Sequence, residues 1–154
     1  MYTTVLILHS LVKWCVLLAL ILTLYRSYKG YFYNLPYYKI DNSIRHWTVT
    51  IAHIQLVLGI ILYAQSPIIQ YFWRNLKDAF YEMDIVFFGL IHFLLMCWAI
   101  IVLTIGSALA KRKLNKKDKY KTTVIWFTIA LLIILIAIPW PFSPLSNRPY
   151  IRTF

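Results

Sequence analysis

Four long runs without formal charge divide this chain of 154 residues. They fall within residues 1–25 (interrupted only by Lys13), 46–73, 85–110 and 122–147. About 20 apolar residues suffice for a helix to cross the hydrocarbon core of a bilayer, so each run is long enough. The sequence therefore predicts an all-α fold, a bundle of four transmembrane helices over about Thr3–Tyr25, Arg45–Gln65, Asp84–Ala110 and Thr122–Ile138.

The composition supports one integral-membrane domain over residues 1–154. Apolar residues make up 61% of the chain and charged residues 14%, whereas soluble domains have about 45–50% and about 25%. Four spans and their loops leave no room for a separate soluble domain. The first run lacks both a basic segment before it and a small-residue cleavage site after it, so we interpret it as a retained helix and not a signal peptide.

The distribution of positive charge predicts the orientation. Seven of the 16 lysines and arginines lie in residues 111–121, and Arg26, Lys29, Lys39 and Arg45 lie between the first two spans. Such residues near span ends stay in the cytoplasm, which predicts that both termini face outward, in the periplasm for a protein of the bacterial inner membrane. This topology accounts for the net charge of +11 with membrane lipids as partners and without nucleic acid.

The predicted outer loop has an amphipathic pattern. Its large apolar residues have near-helical spacing, at Ile68, Ile69, Phe72, Trp73, Leu76 and Phe80. This spacing predicts a short interfacial helix along the outer surface.

Pro139 and Pro141 should end the fourth span, and the tail to Phe154 is expected to be an extended outer segment.

Three histidines lie well inside three different spans, where ionisable side chains are costly and therefore candidates for function. From the rise of an α-helix, His9 lies roughly 9 Å, His92 roughly 12 Å and His53 roughly 18 Å below the outer helix ends. These depths allow the three to share one layer. His46 lies roughly 10 Å further in than His53 and is not assigned to the site.

Two neutral imidazoles facing each other across a bundle can serve as the axial ligands of a haem iron. Either His53 with His92 or His9 with His92 could form this pair, and depth alone does not separate them. Gly89, on the same helix face as His92, would leave room for a flat ring. A copper or zinc site built from His9, His53 and His92 is an alternative, as are histidines that only form hydrogen bonds between helices.

Lys13 is the one formal charge inside a span. It follows His9 by four residues and shares its helix face, so it could pair with a haem propionate or polarise a quinone carbonyl. Alternatively, it extends to water or pairs with Asp84 or Glu82 at the outer face.

Three segments resemble a family of small four-span membrane proteins of the Bacteroidetes lineage, usually labelled cytochrome b or cytochrome-b-like. They are LHSLVKW (8–14), AHIQLVLGIILY (52–63) and IPWPF (138–142). The resemblance extends from Tyr2 to about Arg152 and implies haem b as a cofactor. The family has Glu-His at the histidine of the third span, whereas this chain has Ile91-His92, so that carboxylate is missing here.

The sequence thus favours a membrane protein that binds haem b and transfers electrons, with a quinone as a candidate redox partner. Its candidate site residues are His53, His92, His9, Lys13 and Gly89. Two other classes remain open: a non-catalytic subunit that scaffolds a larger membrane complex with partner subunits, and a histidine-based metal carrier. Motifs of zinc hydrolases, serine hydrolases, P-loops and Rossmann folds are absent from the sequence,.

Overall fold

The computed structural model describes residues 1–146 and 148–150, and this part of the chain is helical without strands. The helices are α1 (Tyr2–Phe32), α2 (Lys39–Gln65), α3 (Pro67–Arg74), α4 (Leu76–Ala79), α5 (Met83–Arg112) and α6 (Lys116–Ala137). Helices α1, α2, α5 and α6 are long and apolar enough to cross a membrane. The predicted four-helix transmembrane bundle is therefore confirmed.

All four spanning helices extend beyond the charge-free runs. Helix α1 continues to Phe32, α2 begins at Lys39 and α6 begins at Lys116, whereas α5 exceeds its run by only two residues at each end. A charge-free run marks the part of a helix that can lie in hydrocarbon, whereas backbone hydrogen bonding continues into the interface, where charged residues are tolerated. The sequence therefore placed the spans correctly and made all four too short at their basic ends, α5 by only two residues.

The amphipathic segment of the outer loop forms a helix, as predicted. In α3 the side chains of Ile69 and Phe72 are buried, while Tyr71 and Trp73 are exposed. We call the end of the bundle that carries α3 the outer end, and the end with the α5–α6 hairpin the inner end. Helix α3 packs against α2 and the first turns of α5 and so covers part of the outer end.

Proline ends α6, also as predicted. The helix stops at Ala137, and Ile138 is extended with ψ 127° because the residue before a proline disfavours the α conformation. Beyond it, the Trp140 and Phe142 rings stack with centroids 6.0 Å apart. The expected extension of the tail to Phe154 lies partly outside the described residues, which omit Asn147 and residues 151–154.

The helix packing places α1 and α5 on opposite corners of the bundle. Each of them packs against both α2 and α6. In the middle of the bundle the side chains of Leu20, Leu103 and Phe127 are 0% exposed. Each lies roughly 15 Å along its helix from a residue of the outer half, namely His9 in α1, His92 in α5 and Ala137 in α6,. These side chains form an apolar layer that separates the outer half of the bundle from the inner half.

A buried polar cluster lies on the inner side of the apolar layer, around Asp41. The Asp41 Oδ1 accepts hydrogen bonds from Arg26 Nε and Nη2, both at 2.8 Å. Its Oδ2 accepts from the Tyr38 backbone N–H at 2.9 Å and from the Tyr120 hydroxyl at 3.1 Å. The Tyr120 hydroxyl also lies 3.0 Å from the carbonyl oxygen of Pro36, so the cluster ties the α1–α2 loop to α6.

Arg45 extends this cluster toward α5. It is only 4% exposed, and its Nη1 donates to both the carbonyl and the hydroxyl oxygen of Ser107. Its Nη2 donates to Asn42 Oδ1 at 2.6 Å. On the loop nearby, burial raises the pKa of the Tyr37 hydroxyl. Arg45 is thus a structural residue of the bundle and not only a topology signal.

Candidate functional site

A cavity of about 170 Å³ lies in the outer half of the bundle, between α1, α2, α5 and α6 and beneath α3. Its walls are mostly apolar and include Leu6, Leu56, Phe93, Met96 and Ile134. Seven side chains with polar atoms also line it: Tyr2, His9, Lys13, Gln55, Tyr63, Ser66 and His92. An apolar cavity with a few converging polar groups is the usual form of a small-molecule site.

The cavity brings His9 and His92 together. These residues belong to the diagonally opposite helices α1 and α5, and their ring centroids are 6.4 Å apart at an interplanar angle of 68°. The two rings are therefore neighbours in the bundle core, in a T-shaped arrangement. This is one of the two pairs that the depth argument allowed.

A backbone carbonyl orients the His92 ring. The His92 Nδ1 lies 2.7 Å from the carbonyl oxygen of Ala137. In a longer helix this carbonyl would accept from the N–H of residue 141, but Pro141 has none. Because a carbonyl can only accept, the neutral His92 ring carries its proton on Nδ1 and leaves the lone pair on Nε2. The end of α6 thus fixes the tautomer of a residue on α5.

A π-helical turn precedes His92 and is held by α2 and α3. The turn covers Phe87–Ile91, and such turns are frequent at functional sites. The carbonyl oxygen of Gly89 accepts a hydrogen bond from the Tyr63 hydroxyl at 2.7 Å, and Trp73 Nε1 donates to that hydroxyl at 3.1 Å. These contacts fix the backbone immediately before His92.

The structure gives Gly89 a different neighbour from the one expected. Gly89 does not line the cavity. A Cβ at this position would lie 2.5 Å from Phe72 Cγ, and Phe72 is 1% exposed. The space left by the missing side chain is therefore filled by the ring of Phe72 from α3, so a flat ring bound at His92 would lie in the cavity and not against Gly89.

Replacing Tyr63 by phenylalanine should loosen this π-helical turn. The substitution removes the donor to Gly89 and leaves Trp73 Nε1 without its acceptor, at an expected cost of about 1 kcal/mol. Thermal unfolding in detergent, followed by tryptophan fluorescence, measures the change. Tyr71→Phe on the exposed face of α3 is the matched control and should leave the midpoint unchanged; equal shifts in both variants would contradict the role given to Tyr63.

Gln55 and Gly59 of α2 shape the environment of His9. A Cβ at Gly59 would lie 3.4 Å from His9 Cε1, an ordinary van der Waals distance, so the His9 ring packs beside α2 at this residue. Gln55 Nε2 donates to the His9 carbonyl oxygen at 2.9 Å. The His9 Nδ1 and Gln55 Oε1 are both buried without a hydrogen-bond partner. Buried polar atoms rarely remain unpaired, so these two atoms are candidates for contact with a bound molecule.

Gln55 was not among the predicted site residues, although the sequence contains a signal for it. A glutamine in the middle of a charge-free run is a polar residue at membrane depth and a candidate for function in its own right. It lies four residues before Gly59 and three after Ala52, on the face of α2 that lines the cavity. His53, two residues earlier, lies on a different face of the helix and does not line the cavity.

Lys13 also lines the cavity. Its Nζ lies 5.4 Å from the centroid of the Trp14 ring, and among the described residues no acidic side chain forms an ion pair with it. The alternative pairing with Asp84 is not what the structure has, because Asp84 Oδ2 lies 3.4 Å from Arg148 Nη2. Lys13 thus places an ammonium group without a carboxylate partner on the same helix face as His9.

His53 lies outside the cavity. It is exposed on the surface of the bundle, with Nδ1 2.8 Å from the carbonyl oxygen of Val49 and Nε2 3.3 Å from Thr104 Oγ1. The structure therefore does not bring His53 together with His92. His46 is also exposed, at the inner end of α2. Both histidines are available as internal controls for experiments on the cavity.

The three histidines considered for a copper or zinc site do not converge. Within residues 1–146 and 148–150, no three His, Cys, Asp or Glu side chains are close enough to hold a metal ion together. The pair formed by His9 and His92 is the group of imidazoles that the fold does assemble.

Comparison of the chain with protein-family models, with curated protein sequences and with solved structures gives no match. The resemblance to cytochrome-b-like proteins therefore stays a prediction from the three segments quoted above.

Proposed function

We propose that the protein is an integral-membrane electron carrier that holds haem b between His9 and His92. The observation that supports this most directly is the separation of 6.4 Å between the two ring centroids. Two imidazoles on opposite sides of one metal ion need roughly 6 Å, since each metal–nitrogen bond is about 2 Å and each ring centre lies about 1 Å behind its nitrogen. The spacing and the apolar walls fit a haem held by two histidines.

The surroundings of the pair suit this role. The Ala137 carbonyl that accepts from His92 Nδ1 would hold the ring in position and make Nε2 a better donor to a metal. Haem, when bound, supplies reversible one-electron exchange. Lys13 is placed to balance the charge of a propionate, as no carboxylate of the described residues pairs with it.

The apolar layer determines from which end of the bundle the proposed site is accessible. Leu20, Leu103 and Phe127 are fully buried between the cavity and the inner cluster, and the polar side chains of the cavity all lie on the outer side of this layer. Water and protons would therefore reach the site from the outer end. A redox partner would be expected on that side.

Visible spectroscopy of four single variants tests the proposal. The protein is purified in mild detergent from its native host, and the reduced-minus-oxidised spectrum and haem content are recorded. The wild-type protein should show a sharp α band, and His9→Ala and His92→Ala should each lose it, because a single remaining axial ligand holds haem weakly. His53→Ala and His46→Ala should retain the band, since both side chains lie outside the cavity.

Two outcomes would contradict the proposal. A spectrum without haem bands in the wild-type protein would remove the electron-transfer function, and co-purifying membrane subunits would then favour a scaffolding role. Loss of the band in His53→Ala but not in His9→Ala would show that a different pair binds the haem. Circular dichroism of each variant establishes whether the bundle remains folded.

A quinone is the second candidate for this cavity, favoured by Lys13 and Gln55. The Lys13 ammonium can donate to a ring carbonyl, and the unpaired Gln55 Oε1 can accept from a quinol hydroxyl. Haem-free protein titrated with a short-chain menaquinone should show saturable quenching of tryptophan fluorescence. Lys13→Met should weaken this binding about tenfold, whereas equal affinity of the variant would exclude Lys13 from a quinone site.

A further inference from the structure

The short hairpin between α5 and α6 concentrates positive charge at one level of the bundle. Helix α5 ends at Arg112 and α6 begins at Lys116, so three residues connect them. Residues 111–121 contain seven lysines and arginines and a single acidic residue, Asp118. Because the linker is so short, the basic residues of the two helix ends are held side by side.

The charges of this hairpin are exposed and have no acidic partners. Lys111, Arg112, Lys113, Lys116 and Lys117 are all exposed. Both ion pairs of the described residues lie elsewhere, at Arg26–Asp41 and Arg148–Asp84. Like charges this close repel each other, so an anionic partner at this surface would be stabilising.

Aromatic residues near the α1–α2 loop hold part of the hairpin in place. Lys117 Nζ lies 5.5 Å from the centroid of the Tyr31 ring, and Lys119 Nζ lies 5.1 Å from that of Tyr37. A cation over an aromatic face is attracted to the ring. The hairpin is therefore docked against the neighbouring loop, and its charges have a defined arrangement.

The hairpin lies at the depth of lipid headgroups. Helix α6 has 22 residues and is roughly 33 Å long, close to the thickness of the hydrocarbon core. Lys116 is therefore near the boundary between hydrocarbon and water when Ala137 is near the opposite one. At the tip of the hairpin Leu114 is fully exposed, which is unfavourable in water and favourable beside acyl chains.

We infer that this hairpin is a binding surface for anionic phospholipid headgroups. Phosphodiester groups would lie between the exposed lysines and arginines of the two helix ends, with Leu114 and the nearby exposed Phe32 toward the acyl chains. Positive-inside topology requires only an excess of basic residues. The inferred surface adds selectivity for anionic over zwitterionic lipid, independently of any cofactor in the cavity.

Native mass spectrometry of the full-length protein tests this inference. The protein in a neutral detergent is titrated with phosphatidylglycerol or phosphatidylcholine, and bound lipids are counted. The wild-type protein should prefer phosphatidylglycerol. The double variant Lys113→Gln/Lys116→Gln should bind phosphatidylglycerol about tenfold more weakly and phosphatidylcholine unchanged.

Arg74→Gln/Lys77→Gln is the matched control, because it removes two exposed positive charges at the outer end. This control should retain the preference for phosphatidylglycerol within about twofold. Equal losses in both double variants would overturn the inference, since net charge alone would then explain the binding. Displacement of the lipid by millimolar inorganic phosphate would also overturn it, by showing a site for free phosphate.

Discussion

Asp41→Ala should unfold at a temperature roughly 10 °C below that of the wild-type protein. The Asp41 side chain is 4% exposed and pairs with Arg26; it also accepts from the Tyr120 hydroxyl and the Tyr38 backbone N–H. Removing it leaves these donors without their acceptor inside the bundle. The cost should be about 3 kcal/mol, at the low end for a broken buried ion pair, because the half-exposed Arg26 can still reach water.

Asp118→Ala is the control for Asp41→Ala. Asp118 is an exposed carboxylate at the inner end of α6, so its removal changes the net charge equally and should shift the unfolding midpoint little. Both midpoints are measured by thermal unfolding in the same detergent. Equal midpoints for the two variants would show that the carboxylate of Asp41 contributes nothing beyond its charge.

The inner cluster around Asp41 could not be predicted from the sequence, although all its members were visible there. Arg26 and Arg45 were interpreted as basic residues of a cytoplasmic loop, which the positive-inside rule explains without any contact. Their pairing depends on how far α1 and α2 extend beyond the charge-free runs. Helix ends in the interface are set by hydrogen bonds and capping, and apolar runs do not report them.

The spans, by contrast, followed directly from the sequence because transfer from water to hydrocarbon dominates their energetics. A single formal charge in residues 1–25 and none in 85–110 leaves few alternatives to a spanning helix. The amphipathic spacing around Ile69 and Phe72 likewise gave α3, because one apolar face has to be covered. Charge-free runs and amphipathic spacing of this kind determine the architecture.

The site was only half determined by such patterns. Depth placed His9, His53 and His92 in one layer, but depth does not report the rotation of a helix about its axis. In α2 the face toward the cavity carries Ala52, Gln55 and Gly59, and His53 points away because adjacent helical residues differ by about 100°. Whether His9 and His92 bind haem stays a prediction; their convergence in one cavity is a property of the fold.

Gly89→Ala should have the second largest effect on stability. The added Cβ would lie 2.5 Å from Phe72 Cγ and 2.8 Å from its Cδ1 and Cδ2, distances that van der Waals repulsion forbids. Phe72 is 1% exposed and cannot move without displacing α3. Overpacking of this kind should cost about 2–3 kcal/mol, measured as a lower midpoint of thermal unfolding.

Gly59→Ala is the matched control, because its Cβ would lie at an ordinary 3.4 Å from the nearest side-chain atom, His9 Cε1. Phe72→Leu supplies a second check on Gly89→Ala. If the clash with Phe72 causes the loss, Gly89→Ala should cost less in a Phe72→Leu background, with a coupling energy of about 1 kcal/mol or more. Strict additivity would instead place the strain in the π-helical turn itself.

Gly89 lies three residues before His92, so the same clash should also disturb the His92 ring next to His9. If Gly89→Ala changes the visible spectrum and Phe72→Leu reverses that change, the packing of α3 is coupled to the cavity.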